Sequence, residues 1–262
     1  MSEVWIVEEG GKRRPLGILV RVLCVAILCA LFIVAACYLL IAPASSYVSV
    51  EVNGQYGIGV EELLSIAGIR PDTKWSGFDA RAAGEKLRAH PLFASATVEK
   101  KFPDRVVIQV EERVPVALAV ADFDGRSVPV EIDREGVVFR IGATEAAGNL
   151  PLLTGLNMTD LVAGSRLNEH LQPLLLQLEK LEQENPRLLS AVSEIRIEPK
   201  TYGSYDLVLF PVRTPVLVRT DKALNEDALR YIMLLLDVIQ GLDIDVRELD
   251  IRAGTVAYKL GG

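Results

Sequence analysis

The chain has 262 residues, 50% of them hydrophobic and 24% charged, and a formal net charge of −7 at pH 7. That acidic balance argues against a nucleic-acid partner, because affinity for a phosphate backbone comes from clustered Lys and Arg that release counterions. The three cysteines, Cys24, Cys29 and Cys37, all lie in one apolar block near the N-terminus, so the rest of the chain forms no disulfide of its own and depends on its core.

The apolar block runs from Val22 to Ala42 and holds 21 consecutive uncharged residues, about 31 Å of helix at 1.5 Å per residue, which matches a bilayer core. Residues 22–43 are therefore expected to form a transmembrane helix behind a tail over 1–21. Lys12, Arg13, Arg14 and Arg21 precede the span, and the twenty residues after Ala42 contain no basic residue. The positive-inside rule then puts the tail in the cytoplasm and the bulk of this single-pass protein outside it. Two processing readings compete with a retained anchor. Ala42-Pro43-Ala44 has the small-x-small form of a signal-peptidase site, and Val34-Ala35-Ala36-Cys37 resembles the box before a lipid-modified cysteine. The apolar run exceeds the roughly 7 to 15 residues of a signal h-region, which favours the anchor.

Past the span, residues 47–53 (YVSVEVN) alternate polar and apolar and stop at Gly54, the pattern of a strand with one buried face. In residues 60–67 the apolar positions 60, 63, 64 and 67 share a helical face, with Glu61 and Glu62 in the first turn and Gly68 as a stop. A loop over 70–78 contains Pro71 and Gly77. Asp79 is placed to cap a second helix through Ala89, and Pro91 closes it. Residues 94–100 and 105–111 read as strands joined by Phe102-Pro103-Asp104. The predicted order is β-α-α-β-β.

With that order, the string PLFASATVEKKFPDRVVIQVEERVPVALA (91–119) resembles the POTRA domain of the FtsQ/DivIB family of bacterial division proteins. The likeness rests on Pro91 after the second helix, the basic end of the strand at Lys100 and Lys101, the aromatic-Pro-Asp turn, and Glu112, Arg113, Pro115 and Ala117 as Glu-Arg-x-Pro-x-Ala. It extends to residues 130–139 (VEIDREGVVF), similar to the family's Asp-x-x-Gly-x-x-Phe strand pair, and to 150–155 (LPLLTG), similar to its Leu-Pro-x-x-x-Gly. The resemblance implies an α+β chain: one N-terminal transmembrane helix, a POTRA domain over 47–116, and a mixed-sheet β-domain with packed helices over 117–262.

Further along, leucines at 171, 174, 175, 178 and 181 give a helical face that ends before Asn185-Pro186. Residues 192–197, 205–210 and 216–219 are strand-like, and a helix capped near Asp221 or Asn225 runs to Gly241. Its last turn carries Leu235, Leu236, Val238 and Ile239 and is expected to pack on the sheet. Residues 248–252 and 255–260 are two short strands around Ala253-Gly254, the first similar to the family's Ile-Asp-Leu-Arg motif.

Catalytic patterns are sparse. His90 and His170 are the only histidines and sit near predicted helix ends, too few for a metal site without other ligands. Tyr56-Gly-Ile-Gly-Val60 lacks the third glycine of a dinucleotide fingerprint and reads as a turn. Asp243 with Asp245, or Glu111 with Glu112, are pairs an acidic surface makes by chance, and Asn157-Met-Thr159 is a loop that only formally fits a glycosylation acceptor. The expectation is a protein without enzymatic turnover, cofactor or metal.

Binding remains as the function. A last strand at a sheet edge accepts a partner's strand through main-chain hydrogen bonds. In the resembled family the single-span partners of FtsB and FtsL type dock on that strand. By position this implicates Arg252, Gly254, Thr255, Val256, Ala257 and Tyr258. The competing reading has Val256 and Tyr258 packing on the domain's own helices. Proline at Val256 or Ala257 is expected to remove an edge donor. In the POTRA part, residues 60–67 and the loop 75–79 are the exposed candidates, with Trp75 and Phe78 anchoring the loop on the core. The resemblance further implies a divisome scaffold at the septal inner membrane that influences peptidoglycan synthesis. The alternatives are a POTRA-bearing secretion or assembly factor, for which about 146 residues are too few to close a useful barrel, and an anchored envelope hydrolase.

Overall fold

The computed structural model describes residues 16–44, 46–54, 57–123, 125–142, 150–158, 161–242 and 244–261. The tail up to residue 15, Tyr56 of the glycine turn, Thr159 and Asp243 lie outside the described residues.

The first helix, α1 (Leu16–Ala44), is long and apolar enough to cross a membrane, and none of its residues from Leu19 to Tyr38 is buried. It starts before the uncharged run and takes in Arg21.

A three-stranded unit follows, made of β1 (Ser49–Asn53), α2 (Val60–Ala67), α3 (Ala80–Ala89), β2 (Phe93–Lys101) and β3 (Arg105–Glu112). The sheet order is β1-β3-β2, with β1 parallel and β2 antiparallel to the central strand. Leu63, Ala67, Ala83 and Leu87 of the helices meet Phe93, Ala96, Val106, Ile108 and Val110 of the sheet. The local signals explain these elements. Gly68 ends α2 at φ 75°, where a left-handed residue without Cβ returns its N–H to the last turn. The Asp79 carboxylate starts α3 by accepting the N–H groups of Arg81 and Ala82. Gly54 has no substitute, because a Cβ there would lie 2.0 Å from the Val110 carbonyl oxygen.

The larger unit is built on β4 (Pro115–Phe123), β5 (Arg126–Asp133), β6 (Val138–Ile141) and β7 (Leu152–Thr154), then α4 (Gln172–Glu184) and α5 (Pro186–Leu189). It continues through β8 (Val192–Pro199), β9 (Tyr205–Pro211), β10 (Leu217–Thr220), α6 (Glu226–Gly241), β11 (Val246–Asp250) and β12 (Ala257–Leu260). All nine strands join in one mixed sheet of order β12-β11-β10-β9-β8-β7-β4-β5-β6. Leu174, Leu175, Leu178 and Leu181 of α4, with Leu229, Ile232 and Leu236 of α6, cover one face over Ala119, Ile195, Leu209, Val218 and Leu249. The other face carries Glu131, Glu194, Arg196, Glu198, Arg219 and Glu248, as period-two alternation requires. The fold is α+β, with the N-terminal helix, the small sheet and the large mixed sheet in the expected order.

Three local expectations need correction. The last strand begins at Ala257, because a 3-10 turn over Arg252–Gly254, the extended Thr255, and Val256, which lies outside the sheet, precede it. The last turn of α6 is not wholly packed: Leu236 is buried, while Leu234 and Val238 are at least half exposed. At 100° per residue Val238 lies on the opposite side of the helix from Leu236. The span 115–123, read from sequence only as the end of a motif, is a full strand.

Candidate functional site

The two edges of the large sheet are built differently. At one, a loop lies against β6: the Val138 N–H donates to the Ser165 carbonyl and the Gly164 N–H to the Val138 carbonyl, both at 2.8 Å. Leu167 N–H adds a bond to Gly136, and Val137 bridges to Arg166. Beneath this cover the Asp133 carboxylate, almost fully buried, accepts the N–H groups of Glu135 and Val137 and pairs with the Arg113 guanidinium. Arg113 also reaches Glu135 at 3.1 Å, which in turn meets Arg166. Burial works against the Arg113 charge, but the hydrogen bonds it donates to Asp133 and Glu135 outweigh it and hold the pKa above its usual value. Arg113 follows the last residue of the small sheet, so this network ties the two units together.

At the other edge, β12 pairs antiparallel with β11, setting Ala257 opposite Asp250, Tyr258 opposite Leu249, and Lys259 opposite Glu248. Among the described residues nothing pairs with its outer side. The direction of its main chain follows from two bonds. The Gly261 N–H points inward to Asp245, and the Ile251 N–H points the other way, to Arg219 on β10. By alternation Ala257 and Lys259 bond inward to β11, and the N–H and C=O groups of Tyr258 and Leu260 face outward. The side chains of all four residues are exposed.

The turn before β12 is held by its own sequence. Asp250 Oδ1 accepts both the backbone N–H of Arg252 at 3.1 Å and its Nε at 2.9 Å. The Arg252 guanidinium also binds Asp250 Oδ2, and reaches Asp206 on β9 at 2.7 Å. Gly254 then reverses the chain at φ 71°. These contacts hold the Arg252 pKa above its usual value, Asp250 first and Asp206 second. Asp250 is held below the usual carboxylate range by the same hydrogen bonds. Asp206 is also held low: its burial opposes ionisation, but bonds from Lys200, at 2.6 Å, and Arg252 prevail. Farther along the open face, Lys259 and Arg219 hold Glu248 low, and Arg219 also pairs with Glu198. Arg219, Glu248, Asp250, Arg252, Ala257, Tyr258 and Lys259 line a shallow depression of about 350 Å³.

Of the six residues singled out from sequence, Arg252 and Gly254 shape the turn, Thr255 and Val256 lead out of it, and Ala257 and Tyr258 lie on the edge strand. Tyr258 shares the face of buried Leu249 but is 60% exposed, and Val256 is 45% exposed. Asp206, Lys200, Arg219 and Glu248 were not legible as parts of the site. In the small sheet Trp75 is partly buried, donating its indole N–H to the Arg105 carbonyl at 3.0 Å, and Phe78 is buried. His90 caps α3 beside Phe93, and among the described residues no three His, Cys, Asp or Glu gather as metal ligands would.

Comparison with known proteins adds a name to the small sheet: residues 45–113 match the POTRA domain, FtsQ-type. A cell division protein FtsQ of Syntrophotalea carbinolica is 29% identical over 162 residues, 60% of this chain and 56% of that protein. FtsQ of Myxococcus fulvus is 27% identical over 224 residues, 84% of this chain and 76% of its own. A cell division protein DivIB of Bacillus cytotoxicus is 25% identical over 180 residues, 64% and 60% of the two chains. The chain thus spans little more than half the length of the first of these relatives.

Proposed function

Because the chain belongs to the FtsQ/DivIB family of bacterial cell division proteins, we propose that it is a non-enzymatic scaffold of the divisome that receives single-span partners of FtsB and FtsL type on the β12 edge. In this reading residues 1–21 are a cytoplasmic tail, 22–43 cross the inner membrane, and the POTRA domain (47–116) and β-domain (117–262) work outside the cytoplasm at the septum. There the complex influences septal peptidoglycan synthesis. The supporting observation is the outward-facing main chain of Tyr258 and Leu260 on an unpaired strand whose counterpart edge at β6 is occupied. A partner strand would bond to those groups, its alternate side chains meeting Tyr258 and Val256 on one face and Lys259 on the other. Arg252 is a positioning residue in this scheme, since two carboxylates of its own domain already hold it.

The test is a photo-reactive residue at position 258 in the full, membrane-anchored chain, crosslinked in dividing cells. Trapped small single-span division proteins support the reading. Crosslinks only within the chain, together with normal septation after depletion, would contradict it.

A further inference from the structure

The end of the small sheet nearest α1 carries a cluster that partner docking at β12 leaves unused. The helix ends at Ala44, and Ser46 already accepts the Trp75 N–H at 3.0 Å. Two residue steps span at most about 7 Å, so the loop over 70–78 lies directly at the helix end. Tyr47 bridges to Lys74, Val48 bonds to Thr73, and Ser49 bonds to Asp104. Because β1 runs parallel to β3 with Ser49 opposite Arg105, the turn between β2 and β3 lies at this same end. These two segments hold Arg70, Lys74, Lys100, Lys101 and Arg105 against Asp72 and Asp104, a local charge of +3 on a chain that is −8 beyond residue 43. The far end is acidic instead, with Glu61 and Glu62 opening α2 and Glu112 accepting the Gly57 N–H.

The basic end is also aromatic and braced. Phe102 and Tyr47 are 58% and 63% exposed. Phe102 packs edge-on against Trp75 at 6.0 Å, and the Lys100 ammonium sits 4.4 Å over the indole while bonding to the Phe78 carbonyl. Exposed aromatic rings interleaved with cations are the composition of a membrane–water interface, where amphipathic rings enter the headgroup layer and basic residues meet anionic lipid.

We infer that this end of the POTRA domain rests on the anionic lipid surface around its own transmembrane helix, Tyr47 and Phe102 entering the headgroup region and Lys74, Lys101 and Arg105 meeting lipid phosphates. The contact holds the domain at a fixed angle to the membrane. It depends on the helix crossing the bilayer, not on which partner β12 receives.

The experiment reconstitutes the full chain in nanodiscs of phosphatidylglycerol or phosphatidylcholine and follows hydrogen exchange. Each basic residue near an anionic surface adds about fivefold to binding. Exchange over 70–78 and 100–105 is expected to be several-fold slower in phosphatidylglycerol, and the difference is expected to vanish in high salt and in the double variant Lys74→Glu/Lys101→Glu. Exchange over 106–112 serves as the control for folding and is expected to be equal throughout. Equal exchange of the wild-type chain in both lipids overturns the inference, as does a phosphatidylglycerol effect that the double variant leaves unchanged.

Discussion

The β6 edge and the β12 edge close the same nine-stranded sheet, yet only one is finished. At β6 a loop takes up the outward main-chain groups of Val138, and a buried Arg113–Asp133 pair holds what lies beneath. At β12 the main chain of Tyr258 and Leu260 faces outward, and the ion pairs behind it, through Arg252, Asp206, Asp250 and Glu248, serve to hold the strand in place. An unpaired edge is an aggregation hazard that folded proteins ordinarily cover. Covering one and leaving the other is the arrangement that the proposed docking of a partner strand at β12 requires. The buried ion pair thus lies near the edge that joins the two units, and the proposed recognition surface is the edge farthest from it in the sheet.

The comparison breaks most severely at the closed edge. Arg113→Ala strands the nearly buried Asp133 carboxylate, and removing one partner of a buried pair costs about 3 kcal/mol or more. Chemical denaturation is expected to show that loss, with partner binding at β12 kept in whatever fraction stays folded. The second effect tests direction in the main chain. Tyr258→Pro removes an outward donor while keeping the inward bonds of Ala257 and Lys259, so partner affinity is expected to fall at least tenfold, about 1.4 kcal/mol, with unchanged circular dichroism. Ala257→Pro, which from sequence alone promised the same result, is expected to detach β12 instead, because that N–H faces β11. Val138→Pro loses a bond to the loop and disturbs a fully buried core position, and is expected to lower stability by at least about 1 kcal/mol without touching affinity.

Acid sharpens the same contrast. Asp206, Asp250 and Glu248 have folded pKa values below their usual ones. The folded state therefore binds fewer protons than the unfolded chain, and the stability they lend is complete above their unfolded values near 4 and lost as pH falls through the folded ones. Hydrogen exchange over 246–260, corrected for its intrinsic pH dependence, is expected to loosen as the pH falls below about 4. Smallest is Lys259→Ala, an exposed partner of Glu248, expected to cost under about 1 kcal/mol in a thermal melt.

Much of this fold is written locally. The capped helices α2 and α3 and the leucine stripe of α4 need only a few neighbouring residues, and so does the alternation of β3. β4 was harder, since residues 116–121 are apolar on both faces, and only the structure separates buried Ala117, Ala119 and Ala121 from exposed Val120. β7 is three residues long and becomes a strand only because it lies between β4 and β8. The last turn of α6 misled because apolar residues crowd it on every side. In the candidate site, Asp250 and Arg252 are close in sequence and the motif exposes them. Arg219, Glu198 and Glu248 lie 21 and 29 residues apart and meet only once register is fixed. Which edge would be open, and which amides on it face outward, also required the register.

The most direct test of that edge is residue-resolved amide exchange of the full chain, alone and with a co-purified FtsB-type partner. Docking by strand addition predicts that Ala257 and Lys259 are protected in both states and that Tyr258 and Leu260 become protected only in the complex. A complex that forms while Tyr258 and Leu260 go on exchanging as they do in the free protein would contradict it.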